Sequence, residues 1–287
     1  MAHLTESDIL AALDSYRAHI GEVSHRAMST MIPAIEAACE EDPGIAEEMS
    51  EEEVEECRIL YLELILGFDR SETQPPIERP SDILTHWDAI AEQVTLNGTM
   101  VHADTERRAT KREMYRSAIL DGLGRFECPT GQWAFPPDLE ILIQHVDSLE
   151  GHGWYQLRDR GGLVFWVGWG SVGALETYER VQRRVMSRQD ILAEALLSDL
   201  ARDKYEMAGG WRCGTAVKSC VYVVYSRPRS TDTEDKNQGW SWRYIACFGG
   251  SGDYIFDDIV AVLDWLKHLD GPDEQAIEVY AEDVFAV

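Results

Sequence analysis

A chain of 287 residues, 45% of them hydrophobic and including 9 Trp, 11 Tyr and 7 Phe, holds enough apolar material for one large domain or a domain with an extension. Its 52 acidic residues against 26 basic ones leave a net charge of -26, a field that repels phosphate backbones and anionic lipid and so argues against nucleic acid and membranes as partners. The start, Met1 to Asp8, lacks the basic and apolar runs of a signal peptide, and no apolar stretch reaches the ~18 residues of a membrane span; the expectation is a cytoplasmic or nuclear protein.

The first hundred residues read as helices. Thr5-Glu-Ser-Asp8 and Ser50-Glu-Glu-Glu53 both fit the capping box, in which a hydroxyl accepts an early backbone N–H and an acid three residues on accepts the N–H of the cap. After the second cap, Val54, Cys57, Leu60, Tyr61, Leu64 and Ile65 recur at the spacing of a buried helical stripe, and Gly67 closes the segment. Between Glu36 and Glu56 stand eleven carboxylates and no Lys or Arg. Such a run is either a solvated face or a docking surface for a basic partner, and Glu47, Glu48, Glu51, Glu52, Glu55 and Glu56 are its candidate partner-binding residues.

Residues 69 to 80, rich in Pro, Glu, Arg, Ser and Thr, read as an exposed connection. Ser81-Asp82 then caps a helix through about Val94, which Asn97-Gly98 ends. The next helix, roughly Thr105 to Leu120, carries a basic face of Arg107, Arg108, Lys111, Arg112 and Arg116 that has the charge to pair with the acidic helix.

From Leu123 onward strands alternate with helices. A proline-started helix runs from Pro136-Pro137-Asp138-Leu139-Glu140 toward Asp147 and Gly151, and Gly162 to Val167, Lys218 to Tyr225 and Trp240 to Phe248 are strand-like runs. In the last of these Trp240, Trp242, Tyr244, Ala246 and Phe248 share one face, which the alternation predicts to be core. A long helix from about Val172 to Met207, ended by Gly209-Gly210, is expected between the early and late strands, and a polar loop from Ser226 to Gly239 between two late ones. Phe256 to Leu266 reads as a closing helix, with Asp257 and Asp258 in its first turn.

Leu123-Gly124, the proline-led helix with its acidic turn at Asp147 to Gly151, the aromatic-rich strands and the closing Phe256-Asp-Asp-Ile helix together resemble the SUKH superfamily, which includes fungal cell-wall-synthesis regulators and bacterial toxin-immunity proteins. The resemblance covers roughly residues 105 to 268. It departs from the family's pattern in the length of the turn at 147 to 151 and in the long insertion from 172 to 207. It implies a non-enzymatic α+β scaffold that binds other proteins.

The organisation expected is therefore a helical acidic extension over residues 1–104, an α+β domain with a mixed or antiparallel sheet over 105–270, and an acidic tail over 271–287. No catalytic residue, metal ligand or cofactor site is assigned. Six cysteines without a Cys-x-x-Cys pair argue against a zinc site or a disulfide framework, and Cys57, Cys220 and Cys247 fit as small buried hydrophobes. His145 and His152 lie alone, and Cys213 has no nucleophile signature around it.

The sharpest enzyme signal is Gly168-Trp-Gly-Ser-Val-Gly173, a Gly-x-Gly-x-x-Gly pattern after a predicted strand. A dinucleotide fold needs a second parallel strand with an acid about twenty residues later, and the sequence offers helix there. The functional expectation is an intracellular, non-catalytic, regulatory protein-binding module of SUKH-like type with a basic protein partner. The alternative is an enzyme of unknown class with a small-molecule site near Gly168 to Gly173, and a structural subunit of an assembly is a third reading.

Overall fold

The computed structural model describes residues 4–41, 49–101, 104–149, 164–165, 177–194, 199–216, 219–229, 239–248, 252–268 and 279–285. They form an α+β protein of two compact units, one made of residues 15–100, 150–162 and 267–287 and the other of 1–14, 101–149 and 163–266.

The first unit is helical. Helix α1 (Glu6–Glu41) begins at the predicted box, where the Thr5 N–H donates to Asp8 Oδ2 at 2.9 Å and the Asp8 N–H to Thr5 Oγ1 at 3.3 Å; the unit boundary falls within this helix. Helix α2 (Glu51–Leu66) starts at the second box and ends at Gly67, whose left-handed φ of 67° favours glycine. The buried stripe of α2 differs from the one read in the sequence. Tyr61 and Ile65 are core, joined by Ile59, Leu62 and Leu66, whereas Val54, Cys57 and Leu60 are half-buried and Leu64 is 52% exposed. Two apolar stripes share this helix, and spacing alone does not say which one meets the core. The helix expected from Ser81 to Val94 is divided at His86 into α3 (Asp82–Thr85) and α4 (Trp87–Gln93). Asp82 turns back to accept the N–H groups of Glu78 and Arg79, both at 2.9 Å, and the Ser81 side chain makes no capping bond. Strand β1 (Thr99–Met100) follows Gly98, where φ is 75° and any Cβ would meet Ile20 at 2.8 Å and the Tyr16 hydroxyl at 2.9 Å. A buried cluster built from α1, α2, α3 and α4, including Met28, Ile32, Ile35, Leu62, Ile65 and Ile90, also takes in Val284 of a short helix over Ala281–Val284.

The second unit is built on a sheet. Helix α5 (Thr105–Leu123) is capped by Asp104, whose side chain accepts the Arg107 N–H at 2.9 Å, and α6 (Pro137–His145) has proline in its first turn as its sequence requires. The sheet strands are β2 (Ser148–Leu149), β3 (Val164–Phe165), β4 (Val185–Ser187), β5 (Tyr205–Ala216), β6 (Ser219–Pro228), β7 (Ser241–Phe248) and β8 (Gly252–Phe256). Their pairing is antiparallel throughout, in the order β2-β3-β5-β6-β7-β8 with β4 also on β5.

The long helix expected from Val172 to Met207 does not form over the described part of that range. Helix α7 (Tyr178–Arg183) is followed by β4, then α8 (Arg188–Ala193), α9 (Asp199–Lys204) and the start of β5. The physical cause is local. Ser187 and Asp190 make a capping box that restarts a helix, and Val185 to Ser187 pair with Gly209 to Trp211. Gly209-Gly210 is therefore inside a strand rather than at a helix end. A Cβ on Gly210 would come within 2.2 Å of the Val223 carbonyl oxygen. Helix α10 (Ile259–Lys267) closes the unit, with Asp258 Oδ1 accepting the Ala261 N–H at 2.9 Å.

The central strands are covered on both faces. Cys220, Tyr222 and Val224 of β6 pack with Ile245 and Cys247 of β7 and with Ile191, Ala201 and Met207. On the other face Trp211, Val221, Val223, Tyr244 and Ala246 are buried, and the Trp211 indole N–H donates to the Tyr115 hydroxyl of α5 at 2.9 Å.

Candidate partner-binding surface

Alternation along β6 and β7 carries one row of side chains from core to surface. Val221, Val223 and Tyr225 point to the same face of β6, as Tyr244 and Trp242 do on β7, and Tyr225 stands opposite Trp242 in the register. Val221, Val223 and Tyr244 are buried, whereas Tyr225, Trp240 and Trp242 are half-buried. The core expectation for the whole face of β7 is thus corrected at its beginning, where Trp240 and the indole of Trp242 keep part of their surface in solvent, and the Phe248 side chain lies outside the described ones.

The segment 126–135 lays a fourth ring on this place. Its Trp133 indole N–H donates to the Phe126 carbonyl at 3.0 Å, which closes the segment on itself, and the Trp242 indole N–H donates to the Ala134 carbonyl at 3.0 Å. Ring centroids then lie 5.6 Å apart for Trp133 and Tyr225, 6.1 Å for Trp133 and Trp242, and 4.9 Å for Tyr225 and Trp242. Trp240 stacks on Tyr225 at 5.8 Å, and the exposed Arg227 guanidinium lies 5.1 Å above Trp240. A polar chain borders the rings, with Tyr225 hydroxyl and Thr130 Oγ1 3.2 Å apart and Thr130 Oγ1 and Cys128 Sγ 3.3 Å apart. Beside Trp133 a shallow cleft of about 670 Å³ opens, lined by Leu120, Phe126, Glu127, Cys128 and Gln132 among others.

With the Trp133 and Trp242 N–H groups bonded to backbone and the four rings packed on one another, the patch presents large amphipathic rings. Such rings give contact area at little cost in side-chain entropy, and Trp, Tyr and Arg are the residues enriched where binding energy concentrates.

The sequence pointed to other residues. Of the six acids proposed to bind a partner, Glu47 and Glu48 lie outside the described residues. Glu51, Glu52 and Glu56 are exposed on α2, and Glu55 is half-buried. Two of these are paired within the unit, Glu55 with Arg58 at 3.0 Å and Glu56 with Arg70. The basic face of α5 has partners of its own: Arg108 meets the buried Asp147 at 2.8 Å and Arg116 meets Glu140 at 3.0 Å. Burial, and then the neighbouring Arg108 charge, lower the pKa of Arg112 from the usual guanidinium range, with Asp147 opposing them. His145 lies 3.1 Å from Glu6, Cys213 is buried with its thiol pushed well up by burial, and Gly168 to Gly173 and His152 lie outside the described residues. Among the described residues there is no cluster of three or more His, Cys, Asp or Glu fit to hold a metal, and no helix is long and apolar enough to cross a membrane.

Trp133, Tyr225 and Arg227 were not singled out from sequence. The available signal was the phase of β6, which puts Tyr225 on the row of Val221 and Val223 and opposite Trp242. No family model, curated protein or solved structure matches the chain.

Proposed function

We propose that the chain is an intracellular, non-catalytic protein-binding module of SUKH-like type, regulatory in role, and that the aromatic patch of Trp133, Tyr225, Trp240 and Trp242 anchors a partner with a basic surface. The observation that carries this reading is the meeting of four half-buried rings at one end of the β6–β7 pair. Half-exposed aromatic faces attract Lys and Arg side chains through the ring quadrupole, an interaction worth about 0.5–1 kcal/mol at exposed sites and more when desolvated. The net charge of -26 supports the same partner, because a field of that sign draws a basic surface into encounter and is screened over ~8 Å at physiological salt.

The experiment compares proteins captured by the full chain with those captured by a Tyr225→Ala, Trp240→Ala variant, at low and high salt, after circular dichroism has established that the variant is folded. The reading expects basic proteins that are lost from the variant and released by salt. Capture that is indifferent to both changes removes the patch from the interface.

A further inference from the structure

Cys220 of β6 and Cys247 of β7 are directly opposed residues of one antiparallel pair, 1% and 0% exposed. Opposed residues of an antiparallel pair have Cα atoms about 4.5–5.5 Å apart, inside the window of about 4.4–6.8 Å that a disulfide requires. Their side chains leave the same face of the sheet, and the two thiols are within hydrogen-bonding reach of each other, with the Tyr222 hydroxyl beside them. Apolar neighbours on this face include Ile191, Ala201, Met207, Val224 and Ile245, and the charges of Glu194 and Arg212 also act on Cys220. The other described cysteines are arranged differently. Cys213 has its thiol on the Val221 carbonyl at 3.4 Å, and Cys57 and Cys128 are half-buried, the first on α2 and the second in the segment 126–135.

We infer that Cys220 and Cys247 are a latent disulfide site, which a peroxide closes into a covalent staple between β6 and β7. The thiolate of Cys220 attacks one oxygen of hydrogen peroxide and breaks the O–O bond, giving a sulfenic acid; the hydroxide released takes up the proton that Cys220 lost and becomes water. The Cys247 sulfur then attacks the sulfenic sulfur. The S–S bond forms, the S–O bond breaks, and the departing hydroxide takes the Cys247 proton as a second water. Each sulfur loses one electron and the two peroxide oxygens gain them.

The site favours the first step at Cys220. Hydrogen bonding from the Cys247 thiol holds the Cys220 thiol below the usual cysteine range, against the opposing effect of burial. Burial sets the oxidant: at 1% and 0% exposure the pair is closed to a bulky disulfide, and a small peroxide reaches it through local opening of the strands. Both strands continue from the staple to the aromatic patch, through Tyr225 on β6 and Trp242 on β7.

The full chain is treated with hydrogen peroxide in native buffer, then unfolded, alkylated and mapped by mass spectrometry. The expected product is 2 Da lighter and contains a peptide pair joined through Cys220 and Cys247. The joined pair persists in Cys128→Ser and is absent from Cys220→Ser and Cys247→Ser, and the oxidised parent melts at a higher temperature than the reduced one. Full alkylation of both cysteines after peroxide, separate sulfinic acids at the two positions, or a link to a different cysteine overturns the inference. The mapping of the parent decides the matter even where a serine variant fails to fold.

Discussion

Oδ2 of Asp138, in the first turn of α6, accepts the backbone N–H of Ile259 at 2.9 Å, so the proline-led helix caps α10 from 121 residues away. The same carboxyl accepts its neighbour Leu139 N–H at 2.9 Å, and the Tyr244 hydroxyl of β7 meets it as well. Replacing Asp138 with Ala removes the acceptor that α10 uses at its start, and should cost about 0.5–2 kcal/mol in thermal or denaturant unfolding.

Asp138 also sets a pH dependence. Burial raises its pKa above the ordinary 3.8 and outweighs the hydrogen bonds that lower it. The sign follows from linkage: a carboxyl with a raised folded pKa favours folding most when protonated, so its contribution is complete below 3.8 and is lost as pH rises through the folded value. Asp138→Asn does not titrate. Its melting temperature relative to the parent should therefore improve from pH 3.5 to pH 7, and an unchanged difference across that range would remove the burial effect.

Two tryptophans two register positions apart in exposure give a paired test of the sheet. Trp211 is fully buried and bonded to Tyr115, whereas Trp242 is half-buried. Trp211→Ala should cost ~3–5 kcal/mol, and Trp242→Ala clearly less, roughly 1–2 kcal/mol, because less apolar surface returns to water. Equal losses measured by urea unfolding would show that the Trp242 ring is core after all.

Two glycines should respond to alanine with opposite signs. Gly21 lies within α1 where a Cβ would meet nothing within 4 Å, so Gly21→Ala should stabilise by about 0.5–1 kcal/mol through helix propensity. At Gly210 the Val223 carbonyl oxygen would be 2.2 Å from the new carbon, and the strands would have to part. Gly210→Ala should lower the melting temperature strongly.

Arg243 is 2% exposed and is held by Asp257 at 2.9 Å, by the Ser226 carbonyl at 2.8 Å and by the Tyr205 ring at 4.8 Å. Asp257 is 62% exposed, so the pair itself is partly screened. Removing the acid nevertheless leaves a buried guanidinium with less compensation, and Asp257→Ala should cost on the order of 1–3 kcal/mol. In a double-mutant cycle, adding Arg243→Met should recover part of that loss, and strictly additive losses would exclude the coupling.

The elements with local chemical signals could be read directly. Both N-terminal boxes, Gly67, the proline start of α6 and the apolar runs of β6 and β7 each declare themselves within a few residues. What escaped reading depended on distant partners. Val185 to Ser187 become a strand because Gly209 to Trp211 lie beside them, which no window around residue 185 contains. The core side of α2 was misassigned because both Leu62 and Leu64 sit at helical spacing from apolar neighbours, and only the packed unit distinguishes them. The aromatic patch was half visible. Trp240 and Trp242 stood out, but the sheet register was needed to bring Tyr225 opposite Trp242, and the closed segment at 126–135 to add Trp133.

Strand β8 ends the sheet order among the described residues, five residues long with Tyr254 46% exposed. An edge of this kind can accept a strand from another copy of the chain, and the shared negative charge of the copies opposes that pairing. That protection vanishes near the isoelectric point of about 4.6. Acidified solutions should therefore turn cloudy close to that pH and clear again on return to neutrality, making colloidal behaviour, more than unfolding, the practical limit on handling this protein in mild acid.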